Sequence, residues 1–156
     1  MANTFSQMYV QLVFAVKHRE YLITSKYKEL LEKYMCGIIK NNNCKPLAIY
    51  CNPDHVHILV GLHPTISVSD LTRDIKACSS KFINQNKWIQ GLFRWQDGFG
   101  SFTYSKRELD GIVRYILNQA EHHRKKSFHE EYLAFLEEYG IDYDMRYVFD
   151  WVDRPQ

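Results

Sequence analysis

Two histidines two residues apart, His55 and His57, head the apolar stretch HVHILVG. On a strand alternate side chains share a face, so both imidazoles point the same way, with Cα atoms roughly 6.5–7 Å apart. Val56, Ile58 and Val60 point the other way. One face is apolar enough for a core, and the other offers two nitrogen ligands that can converge on one ion. Read alone, the pair also fits a turn cap beside a satisfied polar neighbour. The stretch RYILNQAEHH adds Tyr115 and Gln119, four apart and so on one face of a helix, opposite the apolar Ile112–Ile116 side. A solvated polar face is the plainer reading of that pair. Together, two neutral imidazoles and an amide oxygen make a mixed nitrogen/oxygen set, better suited to Mg²⁺ or Mn²⁺ than to a closed structural zinc site. Coordination positions left open would take phosphate oxygens and water, and a metal there could polarise a phosphodiester. Tyr115, one turn from Gln119, is placed to attack phosphorus. Its phenol, ordinarily titrating near about pH 10, is a poor nucleophile until a metal or base helps it.

These groups need a scaffold, and the chain supplies its signals in order. Residues 8–17 read as a strand with Val10, Leu12, Phe14 and Val16 on one face. Thr24 caps a helix over 25–41, with Tyr27, Leu30, Leu31, Tyr34 and Ile38 at helical spacing. Asn52-Pro53-Asp54 between two apolar runs predicts an antiparallel hairpin, whose second arm the histidines open. Ser67 with Asp70 forms a capping box before a helix over 68–86, in which Leu71, Ile75, Cys78 and Phe82 line the buried stripe. A fourth strand, weakened by Gly98 and Gly100, follows in GFGSFTYS. Ser105 with Glu108 opens a helix over 106–126, and Ser127 with Glu130 opens another that stops at Gly140. The aromatic, acidic tail over 141–156 is expected to dock back on the body. The order strand, helix, strand, strand, helix, strand matches the split βαβ pattern. The expected fold is therefore α+β and ferredoxin-like (βαββαβ): an antiparallel sheet with helices on one face and additional C-terminal helices. His55 and His57 would lie mid-sheet, on the face away from the two crossover helices.

The 156 residues suit one domain, 1–156, with 46% hydrophobic and 24% charged residues. A net charge of +2 means that a polyanion would be held by local basic patches. The longest early apolar run, MYVQLVFAV, is broken by Gln11 and too short to span a bilayer. Four cysteines without metal spacing or CxxC pairs read as free thiols in a reducing cytoplasm.

The segments DHVHILVGLHP, SVSDLTRDIKACSSKFIN, FRWQDGFGSFTYS and YILNQAEHH together resemble the single-tyrosine HUH transposases of small bacterial insertion sequences, in order over about residues 8–149. The resemblance implies His55 and His57 as metal ligands, Gln119 as third ligand and Tyr115 as nucleophile. It further implies cutting of single-stranded DNA with hairpin ends, through a 5′-phosphotyrosine and a free 3′-hydroxyl, by a homodimer sharing its active sites between subunits. His122 or His123 could replace Gln119 as ligand. Candidate DNA contacts are Lys81, Lys87, Arg94, Lys106, Arg107, Arg114, Arg124 and Lys125, with Trp88 and Trp95 for base stacking. A replication-initiator or relaxase nickase shares this chemistry but usually carries further domains. A noncatalytic nucleic-acid module would show aromatic residues on the central strands, where His55 and His57 stand. A small metallohydrolase would have no need of Tyr115.

Overall fold

The computed structural model describes residues 3–122 and 127–143. Its strands are β1 (Tyr9–Ala15), β2 (Lys45–Cys51), β3 (His55–Gly61) and β4 (Gly100–Tyr104). Its helices are α1 (Ser25–Asn41), α2 (Val68–Gln85), α3 (Leu109–Leu117), the short α4 (Gln119–His122) and α5 (Phe128–Glu138). The strands form one antiparallel sheet in the order β2-β3-β1-β4. The predicted placement of β1 and β3 at the centre therefore holds.

Strand alternation sorts the side chains into two cores. On one face Leu12, Phe14, Ile58 and Val60 pack beneath Leu31, Met35 and Ile39 of α1 and Leu71, Ile75 and Ile83 of α2. On the other, Val13, Ala15, Leu59 and Phe102 meet Ile116 of α3 and Phe128, Tyr132 and Leu136 of α5. Helices thus cover both faces, and the C-terminal ones close over the histidine side. Gly100 permits this closure, because a Cβ there would lie 2.6 Å from the Tyr132 hydroxyl.

Local signals held unevenly. The Ser67 and Ser127 caps accept from the amides of Asp70 and Glu130, and α5 ends before Gly140 at φ 63°. Thr24 occupies the first cap position without a side-chain hydrogen bond. In α1, Leu30 is exposed, and the stripe runs through Leu31, Met35, Ile38 and Ile39. The helix expected over 106–126 is broken: a 3₁₀ turn at Lys106–Glu108 precedes α3, and Asn118 (φ −98°, ψ 24°) separates α3 from α4. The tail beyond residue 143 lies outside the described residues. All four cysteines are free. Among the described residues no helix is long and apolar enough to cross a membrane.

Leu12 is fully buried in the α1/α2 core. Leu12→Ala is expected to destabilise the fold by about 2–5 kcal/mol through lost transfer energy and the cavity left behind. Chemical denaturation measures this, and a loss below about 1 kcal/mol would mean that the core is not packed as described.

Candidate active site

The histidine face is sealed. His55 and His57 are 2% and 0% exposed, and their rings lie 5.2 Å apart in an edge-to-face arrangement. Phe128 of α5 stacks flat on His55, with 3.5 Å between centroids. Tyr115 of α3 stands edge-on to His57 at 5.9 Å.

Each imidazole is oriented by a partner on its far nitrogen. The Asn52 amide donates to His55 Nε2 at 3.1 Å, so Nδ1 carries the proton and donates to Asp54 Oδ1 at 2.7 Å. Burial raises the Asp54 pKa, but the His55 hydrogen bond and the nearby Arg19 guanidinium outweigh it and hold the carboxyl below its ordinary range. Arg19 reaches the same carboxylate at 2.7 Å and lies over the Phe128 ring. On the neighbouring strand, Gln11 donates from Nε2 to the Tyr104 hydroxyl at 2.7 Å. Its Oε1 is thereby turned to accept from His57 Nδ1 at 2.8 Å. Both rings turn Nε2 inward, that of His55 toward Asn52 and that of His57 toward Glu131, while Nδ1 is held from behind, as is common for metal-binding histidines.

Gln119 is fully buried beside them. Its Oε1 accepts from Asn52 Nδ2 at 3.4 Å, and its Nε2 donates to the Tyr115 carbonyl at 3.2 Å. Asn52 therefore connects His55 to Gln119. The polar pair Tyr115/Gln119 was expected opposite the apolar side of its helix. Instead Tyr115, Ile116 and Gln119 all turn toward the sheet, because α3 crosses back over β2 and the polar pair closes on the histidines. Burial, and then the Glu131 charge, hold the Tyr115 phenol well above its ordinary titration range. In this closed arrangement the Tyr115 phenol is held in its neutral form.

Glu131 of α5 was not singled out by the sequence. It is 3% exposed, and its Oε1 lies 2.9 Å from His57 Nε2. His55, His57 and Glu131 each bring a ligand atom within 4.8 Å of the others. Two imidazoles, a carboxylate and the nearby Gln119 amide suit a hard or borderline divalent ion. Gln11, Asn52, Asp54 and Arg19 were missed as well. Signals for two of the missed residues existed: Gln11 is the polar intruder in an apolar strand, and Glu131 lies on the Phe128/Phe135 stripe of its helix.

Lys81, Lys87, Arg94, Lys106, Arg107 and Arg114 are all exposed, while Arg124, Lys125 and His123 lie outside the described residues. The stacking role expected of Trp95 fails. Its ring is a core element, edge-on to Phe14 and Phe93, and its indole N–H donates to Ser79. Trp88 is already stacked on Tyr27 at 4.5 Å. Within this one chain the 3₁₀ turn lets α3 lie over its own sheet, with Tyr115 edge-on to His57 of the same chain.

Residues 4–119 match the family model of IS200-like transposases. The ISDra2 transposase TnpA of Deinococcus radiodurans is 22% identical over 120 residues, covering 72% of this chain and 84% of that protein. A crystal structure from D. radiodurans R1, described as a transposase, superposes with a TM-score of 0.57 at 23% identity, over 75% of this chain and 94% of its own. A REP-associated tyrosine transposase bound to a REP hairpin gives a TM-score of 0.58 at 17% identity, over 97% of this chain and 92% of its own.

Proposed function

The chain belongs to the family of IS200-like transposases, and on that premise we propose that it cuts and rejoins single-stranded DNA at hairpin ends, with Tyr115 as nucleophile. The observation that carries this reading is the convergence of Tyr115 and Gln119 with His55 and His57 in one buried cluster. The Tyr115 oxygen attacks phosphorus, forming a phosphotyrosine bond. The P–O3′ bond breaks, the phenol gives up its proton, and the departing 3′ oxygen takes one up. Rejoining reverses the roles: a 3′-hydroxyl attacks the phosphotyrosine and releases Tyr115, so no ATP is needed. His55, His57 and the Gln119 amide oxygen would hold a divalent ion, Mg²⁺ or Mn²⁺. When bound, that ion supplies charge stabilisation at the phosphoryl oxygens. Gln11 and Asp54 keep both imidazoles in the ligand-ready tautomer.

DNA would be held along the exposed Lys81, Lys87, Arg94, Lys106, Arg107 and Arg114, and Arg124 and Lys125, which follow α4 in the sequence, are further candidates. The chain would act as one domain in the cytoplasm. A homodimer remains part of the proposal, supported by the exposed Leu117 on α3. Tyr115 and Gln119 lie beside His55 and His57 of the same chain. Incubation with a hairpin-bearing strand and Mn²⁺ is expected to release a fragment that a polymerase can extend from its 3′ end. Its companion is expected to resist 5′ phosphorylation, even after phosphatase treatment. Cleavage that leaves free 5′-phosphates would favour a metallohydrolase instead.

A further inference from the structure

We propose that Glu131 is the anionic ligand of the metal site, so that α5 completes a coordination set begun on β3. The inference rests on the metal-dependent reading above and extends it to a residue on a different element. Gln11 fixes the geometry. With its amide donating to Tyr104, its oxygen accepts the His57 Nδ1 proton, and His57 Nε2 is turned to Glu131. Glu131 Oε1 faces that nitrogen at 2.9 Å. At this distance the nitrogen and the carboxylate oxygen share a cation, a proton or a metal ion. His55 arrives with the same tautomer, since Asn52 can only donate to its Nε2.

His55, His57 and Glu131 are all at most 3% exposed, and Glu131 also hydrogen-bonds the Tyr115 phenol. Carboxylates this deeply buried are found paired or on metals. The three ligand atoms lie within 4.8 Å of one another, close enough to converge on one ion. Position along α5 supports the assignment. Phe128, three residues earlier, stacks on His55, and Phe135, four residues later, meets the Tyr115 ring edge-on at 5.8 Å. Glu131 is the acidic member of this otherwise aromatic stripe, aimed at the histidines. Two nitrogens, one carboxylate oxygen and the Gln119 amide would leave positions on a six-coordinate ion for phosphate oxygens or water.

The test is Mn²⁺ binding to the full chain, by calorimetry and by loss of the free-ion electron paramagnetic resonance signal. Glu131→Gln is expected to weaken binding about 10- to 100-fold and to shrink the Mn²⁺-induced rise in Tm. Unchanged affinity in a folded Glu131→Gln protein would overturn the assignment. Should that variant not fold, infrared difference spectra of the wild type decide. Adding Mg²⁺ is expected to shift a carboxylate stretch, and the absence of any shift overturns the proposal. The outcomes separate the two readings. Mn²⁺ binding that needs Glu131, without a covalent DNA adduct, removes the transposase chemistry alone. An active protein whose Mn²⁺ affinity ignores Glu131→Gln removes the ligand assignment alone.

Discussion

His57→Ala is expected to abolish strand cleavage, by on the order of a thousandfold or more, while leaving hairpin binding largely intact. The separation follows from where the residue sits. His57 is fully buried under α3 and α5, whereas the basic side chains proposed to hold DNA are exposed elsewhere on the surface. Binding that rests on phosphate contacts should therefore survive, with its usual steep dependence on salt. The same loss is expected for His55→Ala and for wild-type protein in EDTA. A gel-shift assay beside a denaturing cleavage assay reads both quantities. Full cleavage in EDTA would remove the metal from the mechanism.

Tyr115→Phe is the second large effect. It deletes one oxygen from a ring that otherwise keeps its contacts with His57 and Phe135, so the fold should be nearly unchanged. Covalent capture of DNA should vanish, because the attacking oxygen is removed. Mixing Tyr115→Phe with His57→Ala protein then asks where each site is built. With α3 folded onto its own sheet, the mixture is expected to stay inactive. Recovered cleavage after proven subunit exchange would place Tyr115 of one copy over the histidines of another.

Much of this arrangement was legible in the sequence, for identifiable reasons. Period-two patterning fixed the faces of β1 and β3, and the order of elements predicted the sheet. The HxH spacing put both imidazoles on one face, and the four-residue interval put Gln119 with Tyr115. What escaped depends on contacts between elements distant in the chain. Gln11 reaches His57 across 46 residues and Asn52 reaches Gln119 across 67. Glu131 approaches His57 only because α5 docks on the sheet. Nor does helical periodicity reveal which face meets the sheet. The Tyr115/Gln119 face looked like a solvated one until α3 was seen to cross β2. The break at Asn118 was hidden because apolar spacing continues on both sides of it. Trp95 was misread for a related reason. An aromatic residue beside Arg94 resembles a stacking platform, yet its ring fills the α2 side of the core.

The central claim is that Tyr115 becomes covalently joined to DNA. It is tested most directly by trapping the reaction of wild-type protein with a labelled hairpin-bearing single strand and Mn²⁺, digesting the denatured complex, and sequencing the modified peptide by mass spectrometry. The account predicts a nucleotide linked through phosphate to Tyr115 and to no other residue. Cleaved DNA with an unmodified Tyr115 peptide, or an adduct on another side chain, would contradict it.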